Sequence, residues 1–497
     1  MLKDSPVRIF YNRTFQVVFL LYSSLLILLG RQLDRGITNF DDAYYAQKAK
    51  EIFLSDSLWV VLWKNDPVFD NPPLPFWLTG LAYKVFGVSG YAAVFSSAIF
   101  GVLTIYLTYS LCNYLFKENW IAFLSAFVLL FPGVFVDSSR RGMLDITLAF
   151  FVTAAMYCLV KGLENKKFYL LYGVMTGCAV LTKSILGFFP IVIGGVFMLW
   201  YGGFKKLFDP MYMAGIVVAL VIGCSWHTVN WYMFGDEFIQ SHLHQISLDR
   251  YGYSEGASLF YLFGYFKDML KNYWPWLPPA VVGAFLFARR ALKEKDAHSM
   301  LLFLWVCIPF VIMSTSRNQT VRYLFMIFPA LAMITSHTIA GWLREAYKDK
   351  ALPWMFGVVM ATVLVVNVTP VQVKVSLDYN SAEVRDLASL IRVNTPQKQR
   401  VNFYKLTSWN PTHALMFYSD RFVGDHARGP ESLFGKIKKN PHGTWLSPVS
   451  EFRNLEKNFP GKLYLIYANK KFAYFTSQAN RGDVVYDFSG TELPVVR

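Results

Sequence analysis

Asp41 and Asp42 stand in Asn39-Phe40-Asp41-Asp42-Ala43-Tyr44-Tyr45-Ala46, just after the first long apolar run, and Asp145 ends Asp137-Ser138-Ser139-Arg140-Arg141-Gly142-Met143-Leu144-Asp145, just before a later one. A carboxylate at the mouth of an apolar run carries a desolvation cost that a solvated loop does not impose, so each marks a candidate site. Two acids at the starts of different helices suit metal binding, orientation of a sugar, or a base paired with a binding group. Structural roles stay open beside these. Asp41 or Asp42 fits as the cap of a helix beginning at Ala43, and Asp145 fits as a cap paired with Arg141 one turn earlier.

Basic residues accompany the acids: Arg140, Arg141, Lys183 in Leu181-Thr182-Lys183-Ser184, Arg250, Arg317 and Arg322. Cations beside acids suit an anionic, phosphate-bearing ligand. Snorkelling at a span end accounts equally for Lys183, and lipid contact for Arg317 and Arg322. A third group is Asp70-Asn71-Pro72-Pro73-Leu74-Pro75-Phe76-Trp77, in which the prolines deny helix and hold the polar pair in a defined place. His242 and His244 follow in a later loop, where either could join Asp70 around a divalent ion or serve as an ordinary packing or surface residue. Neither HExxH nor a P-loop is present.

The elements that must position these groups follow from composition. With 497 residues, 54% hydrophobic, 18% aromatic and 16% charged, the chain is too apolar for a soluble globular protein and too long for one membrane span. The net charge of +15 comes from basic residues that punctuate apolar runs, as cytoplasmic loops do, rather than from one block with stacking aromatics, which sets nucleic acid aside. Cys112, Cys158, Cys178, Cys224 and Cys307 lie in or beside apolar stretches without a CxxC pair, against structural disulfides and a cysteine zinc site. Basic residues precede the first apolar run, but it continues to Arg31 without a small-residue cleavage site and reads as a retained span.

Apolar runs of the roughly 20 residues a span needs occur near 14–33, 91–115, 119–136, 146–162, 168–182, 184–201, 211–230, 274–288, 298–315, 321–342 and 352–370, which predicts about eleven spans. With Lys3, Arg8 and Arg13 in the cytoplasm, the inside connections hold Lys117, then Lys161, Lys166 and Lys167, then Lys205 and Lys206, then Arg289 and Arg290, then Arg344 and Lys348. Each is basic, so the orientation is self-consistent. It sends 34–90, 137–145, 230–273 and the tail outward. The stretch Leu74 to Phe86, short and preceded by prolines, reads as an interfacial helix, and 42–55 as a helix near the surface. Residues 1–370 are expected to form the transmembrane domain. The polar tail 371–497, with strands near 400–404 and 462–467 and helices over 382–391 and 411–418, is expected to form a small α/β domain outside the membrane. No transporter-type repeat or low-complexity tract appears.

Five elements, in order, resemble one family: the bacterial GT-C glycosyltransferases related to protein O-mannosyltransferases and the lipid A aminoarabinose transferase. They are Asp41-Asp42-Ala43-Tyr44-Tyr45, Pro72-Pro73-Leu74-Pro75-Phe76-Trp77, Arg141-Gly142-Met143-Leu144-Asp145, Leu181-Thr182-Lys183, and Arg322-Tyr323-Leu324 continuing to Pro329. The resemblance implies a membrane all-α, polytopic GT-C fold in the bacterial inner membrane, N-terminus cytoplasmic and tail periplasmic. It implies transfer of a monosaccharide, with inversion, from a polyprenyl-phosphate carrier to a glycolipid such as lipid A or lipopolysaccharide, another envelope glycan, or a protein. Asp41 would be the base, Asp145 a second active-site acid and Lys183 a ligand of the carrier phosphate. Asp42, Tyr44, Tyr45, Asn71, Arg141, Arg250, Arg322 and Tyr323 would contact substrate, and Asp70 with His244 would hold a Zn, Mg or Mn ion. Tyr44 and Asn71 depart from the pattern, since aminoarabinose transferases commonly have Arg and Lys there. A lipid-linked sugar flippase or transporter is the alternative from another class, but the charges cluster at the outer boundary rather than the midplane.

Overall fold

Apolar runs closed by capping residues become helices along most of this chain. Asn12 accepts from the backbone N–H groups of Thr14 and Phe15 to open α1 (Arg13–Leu28). The computed structural model describes residues 12–29, 37, 40–55, 57–130, 133–243, 260–316, 319–347, 381–406, 411–460, 462–477, 485–486 and 492–493. After α1 come α2 (Phe40–Leu54), a two-residue hairpin of β1 (Leu62–Trp63) and β2 (Asp66–Pro67), and α3 (Leu74–Phe86). Next are α4 (Gly90–Phe116), α5 (Asn119–Leu130), α6 (Gly133–Ser139), α7 (Leu144–Glu164), α8 (Phe168–Lys183), α9 (Phe189–Leu207), α10 (Pro210–Phe234) and α11 (Asp236–Leu243). They are followed by α12 (Phe260–Asn272), α13 (Leu277–Lys293), α14 (Ala297–Ser314) and α15 (Phe328–Tyr347). Ser89, Asp209 and Asp296 cap α4, α10 and α14 with side-chain acceptors.

The chain divides into two compact units, Met1–Asp34 with Glu51–Val375, and Arg35–Lys50 with Ser376–Arg497. In the first, six stretches among the described residues are long and apolar enough to cross a membrane, and α5 with α6, whose axes diverge by 73°, form a broken seventh. The expected spans near 14–33 and 274–288 appear as α1 and α13, of 16 and 17 residues. The expected span at 352–370 lies outside the described residues. Leu144–Glu164 and Val321–Arg344 are the most enclosed spans, 78% and 83% buried, whereas Pro210–Phe234, 28% buried, presents most of its surface outward.

Hydroxyls inside these helices donate back along their own turns, Thr104 to Phe100 O, Ser125 to Ile121 O, Thr153 to Ala149 O and Thr338 to Ile334 O. These four hydroxyls therefore do not face hydrocarbon unsatisfied. Phe168–Leu207 is not one rod. It folds back at Lys183 and Ser184, so that Tyr172 Oη donates to Pro190 O at 2.6 Å and Gly187 packs where an added Cβ would lie 2.2 Å from Val180 N. The sequence reading of two runs, 168–182 and 184–201, corresponds to the two arms of this hairpin.

In the second unit α16 (Ser381–Asn394), α17 (Thr412–Ser419), α18 (Pro430–Lys439) and α19 (Val449–Asn458) accompany β3 (Val401–Tyr404), β4 (Val423–Ala427), β5 (Thr444–Pro448), β6 (Tyr464–Ala468) and β7 (Phe472–Thr476). The sheet order is β4-β3-β5-β7-β6, parallel across the first three strands and antiparallel across the rest. Trp445, Tyr404, Leu433, Phe452, Leu455 and Phe475 form its core. A separate pair, β8 (Val485–Tyr486) with β9 (Glu492–Leu493), lies near the end of the chain.

Close approach of α8 and α10 depends on glycine. A Cβ on Gly173 would sit 2.1 Å from Gly215 O, a backbone atom that cannot swing aside. Gly173→Ala is expected to cost about 1–3 kcal/mol by overpacking, measured as a lowered thermal midpoint of the detergent-solubilised chain. Gly341→Ala, where an added Cβ meets nothing within 4 Å, should leave that midpoint unchanged or raise it.

Candidate active site

Lys183 ends α8 at the tip of the hairpin, where Ser184 takes a φ of +29° to reverse the chain. Its Nζ donates to Asp145 Oδ1 at 2.5 Å and lies 4.5 Å from the centre of the Tyr323 ring. Both ionised side chains are less than 10% exposed. Asp145 sits in the first turn of α7, where the free N–H groups and the helix dipole favour a carboxylate. The cap is Met143, without a side-chain hydrogen bond, so Asp145 is not the cap. Nor does it pair with Arg141, whose Nη1 turns back one helical turn to Asp137 Oδ2 at 2.9 Å.

The Arg-Gly-Met-Leu-Asp element is shaped by its neighbours. Gly142 has a φ of +67°, and a Cβ there would meet Ala93 O at 3.2 Å, so this turn presses against α4. Ser97 Oγ donates to Met143 O at 3.3 Å, and Arg322 Nη1 lies 3.8 Å from Met143 Sδ. Arg322 and Tyr323 come from a 3-10 turn, Val321–Ile327, that leads into α15.

The loop before α3 brings the third group. Phe69 is held between the rings of Phe234 and Phe238, with centroid distances of 5.1 and 5.2 Å. Beyond it, buried Asn71 donates from Nδ2 to Asp70 Oδ2 at 2.8 Å. Pro73 caps α3 and Pro75 occupies its first turn, so the prolines set where the polar pair ends and the helix begins. Asp70, Asn71, Lys183, Ser184, Ser316 and Tyr323 border one cavity.

Behind Ser184 lie two imidazoles. His242 Nδ1 is 2.6 Å from Phe69 O, an acceptor, so that nitrogen carries the proton and Nε2 faces Ser184 Oγ at 3.5 Å. His227 Nδ1 faces Gly223 O at 3.3 Å and its Nε2 lies 3.1 Å from the same hydroxyl. Burial lowers the His242 pKa from the usual imidazole range, against smaller opposing contributions from the Phe69 carbonyl and the Asp70 charge. His242 is thus a neutral acceptor near pH 7. Sequence reasoning missed Ser184, Ser316 and His227. The signal for His227 was an ionisable residue inside an apolar run.

Of the residues expected to form the site, Asp70, Asn71, Asp145, Lys183, Arg322 and Tyr323 come together in the first unit, and Arg141 is one turn away, bound to Asp137. Asp41, Asp42, Tyr44 and Tyr45 belong to the second unit. The helix carrying them begins at Phe40 rather than Ala43, so both acids lie in its first turn, with Asp42 Oδ1 accepting from Ala43 N–H. Arg250, Arg317 and His244 lie outside the described residues. Among the described residues no three His, Cys, Asp or Glu side chains are grouped to hold a metal ion. His242 is committed to Phe69 and Ser184.

An ammonium has three donors, and Lys183 spends one on Asp145, so donors remain for an anion in the cavity. Removing one partner of a buried pair strands the other charge, which costs about 3–5 kcal/mol. Lys183→Met is expected to lower the thermal midpoint of the purified chain accordingly, and Lys183→Met with Asp145→Asn to recover most of that loss.

Residues 70–227 match the family model described as dolichyl-phosphate-mannose-protein mannosyltransferase. An uncharacterized protein of Aquifex aeolicus (strain VF5) is 25% identical over 65% of this chain and 64% of its own. The undecaprenyl phosphate-alpha-4-amino-4-deoxy-L-arabinose arabinosyl transferase 2 of Proteus mirabilis (strain HI4320) is 25% identical over 63% of this chain and 57% of its own. The corresponding transferase of Shewanella sediminis (strain HAW-EB3) is 26% identical over 69% and 62%. The chain therefore spans less than two thirds of the length of these relatives. In fold it is similar to the crystal structure of ArnT from Cupriavidus metallidurans bound to undecaprenyl phosphate, with a TM-score of 0.72, 17% identity, and coverage of 93% of this chain and 98% of that one. The archaeal oligosaccharyltransferase AglB from Archaeoglobus fulgidus, in complex with an inhibitory peptide and a dolichol-phosphate, gives a TM-score of 0.59 at 14% identity, over 88% and 70%. In sequence the chain is thus similar to undecaprenyl-phosphate aminoarabinose transferases at 25–26% identity, and in architecture it shares the fold of ArnT.

Proposed function

We propose that this chain is an inner-membrane glycosyltransferase that moves a monosaccharide from a polyprenyl-phosphate carrier to a glycolipid, glycan or protein acceptor at the periplasmic face. The observation that carries this reading is the cavity bordered by Asp70, Asn71, Lys183 and Tyr323, with the Lys183 ammonium held by Asp145. It offers a cation to a phosphate and polar groups to a sugar beside apolar helices that suit a polyprenyl tail. The relatives named for an undecaprenyl-phosphate sugar support the choice of carrier.

In the proposed reaction Asp41 accepts the proton of an acceptor hydroxyl as its oxygen attacks the anomeric carbon. The bond from that carbon to the carrier phosphate breaks, and its electron pair leaves with the phosphate. Lys183 and Arg322 stabilise the charge that grows there. Direct displacement inverts the anomeric centre. Asp145 holds Lys183 in place, while Asp42, Tyr44, Tyr45, Asn71, Arg141, Arg250 and Tyr323 are proposed substrate contacts. Asp70 with His244 would hold a divalent ion, which would supply positive charge to the phosphate. The proposed topology has eleven spans, a cytoplasmic N-terminus and a periplasmic C-terminal α/β domain.

The test uses the purified full chain with two radiolabelled donors, undecaprenyl-phosphate mannose and undecaprenyl-phosphate aminoarabinose, and an envelope extract from a strain lacking this chain as acceptor. Release of undecaprenyl phosphate and label transfer are both measured. Asp41→Asn is expected to lower transfer by about 10²–10⁴-fold, as loss of a general base does, without changing expression or monodispersity. Near-normal turnover in that variant removes Asp41 from the mechanism. Mass spectrometry of envelope glycolipids and glycoproteins from the deletion strain should show the missing sugar and the molecule that carries it.

A further inference from the structure

The stretch that carries Asp41 and Asp42 is held on both sides by one short segment of the tail. Before the acids, Ile37 N–H donates to Tyr418 Oη at 2.8 Å. After them, the Tyr44 ring stands edge-on to His413, 5.1 Å between centroids. One and a half turns further along α2, Lys50 Nζ donates to Phe417 O at 2.9 Å and pairs with the Asp420 carboxylate. His413, Phe417 and Tyr418 all belong to α17, and Asp420 is its C-cap, in the left-handed conformation at a φ of +56°. A second cation, Arg392 in α16, reaches Asp420 at 3.4 Å.

These contacts go beyond casual surface packing. Lys50 is 7% exposed, Asp42 3% and His413 6%, and the Lys50 ammonium is satisfied by Phe417 O and the Asp420 carboxylate rather than by water. Burial raises the Tyr418 pKa, and the Asp42 charge adds to the rise, which places Asp42 within electrostatic reach of that phenol. Residues 35–50 accordingly group with 376–497 as one compact unit rather than with the rest of the first outer loop. Residues 37, 44 and 50, on either side of the Asp41-Asp42 turn, are all held by the stretch from His413 to Asp420.

We propose that the tail is the holder of the catalytic base: Tyr418, Lys50 and Asp420 are positioning residues for Asp41, and sugar transfer depends on the tail through them. The proposal rests on the reading of Asp41 as the base. All three belong to the same unit as Asp41, and acting through Asp41 they set the rate of transfer and not capture of the carrier. Misplacing a reacting group by about 1 Å costs on the order of 10²-fold in rate, which sets the size of the expected effect.

The experiment measures release of undecaprenyl phosphate by the full-length chain, with whichever of the two radiolabelled donors the unmodified protein turns over. Tyr418→Phe keeps the ring and removes only the hydroxyl, so folding is preserved, and monodispersity on gel filtration checks it. Tyr418→Phe and Lys50→Met are each expected to lower kcat by roughly 10–100-fold with KM for the donor unchanged, and Lys50→Arg to recover most of the rate. Lys50→Met combined with Asp420→Asn should be no slower than the slower single variant, because both break one contact. Unchanged kcat in Tyr418→Phe and Lys50→Met, beside an inactive Asp41→Asn, overturns the positioning role and leaves the base assignment standing. A loss expressed as a raised KM, or additive losses in the double variant, overturns it as well. Full activity of Asp41→Asn is the distinct result that brings down the base assignment, and the proposal with it.

Discussion

Lys183 and Asp145 meet where a hairpin of two apolar helices touches the first turn of a third, and neither charge is tolerable in that setting without the other. Much of the first unit's local design serves this meeting. Gly187 lets the hairpin close onto α8, the positive φ of Ser184 turns the chain just past the lysine, and Gly142 lets the turn before Asp145 press against α4. A larger residue at either glycine would move one charge away from its partner. The Tyr323 ring, delivered by the turn before α15, covers the ammonium on another side.

The same economy governs the polar groups around the pair. Thr104, Ser125, Thr153 and Thr338 donate to carbonyls of their own helices, while other polar groups tie elements together at particular junctions. Trp226 Nε1 and Asn230 Nδ2 both donate to Trp59 O, and His242 Nδ1 donates to Phe69 O. Helices α10 and α11 thereby hold the loop that carries Asp70 and Asn71 by its backbone. A backbone carbonyl reads no side-chain identity, so the loop can vary at Asp70 and Asn71 without losing its seat. This suits a position whose side chains meet the ligand while its main chain meets the scaffold.

Much of the architecture was legible because apolar period and length report directly on helices. The hairpin arms, the helix Leu74–Phe86 and the tail elements near 382–391, 411–418, 400–404 and 462–467 lie where the pattern placed them. Boundaries that depend on caps were less legible. The helix bearing Asp41 and Asp42 starts earlier than a capping carboxylate would require, because the segment is held by contacts with residues far along the chain. The site was legible in its charged members, whose burial cost makes them conspicuous. It was illegible in Ser184, Ser316 and His227, which are ordinary residue types until a fold brings them to one cavity.

The amino-acid sequence by itself determined that this is a polytopic helical chain, and that Asp145, Lys183, Asp70 and the Asp41-Asp42 pair are the costly polar groups at its apolar boundaries. Hydropathy and desolvation are local quantities, readable one window at a time. Only the tertiary structure decided which groups meet. It paired Asp145 with Lys183 instead of Arg141, turned Arg141 to Asp137, placed two imidazoles behind Ser184, and joined residues 35–50 to a helix more than 360 positions away. Pairing of this kind depends on helix crossing, turn geometry and loop closure over long separations, and a sequence window carries no record of those distances.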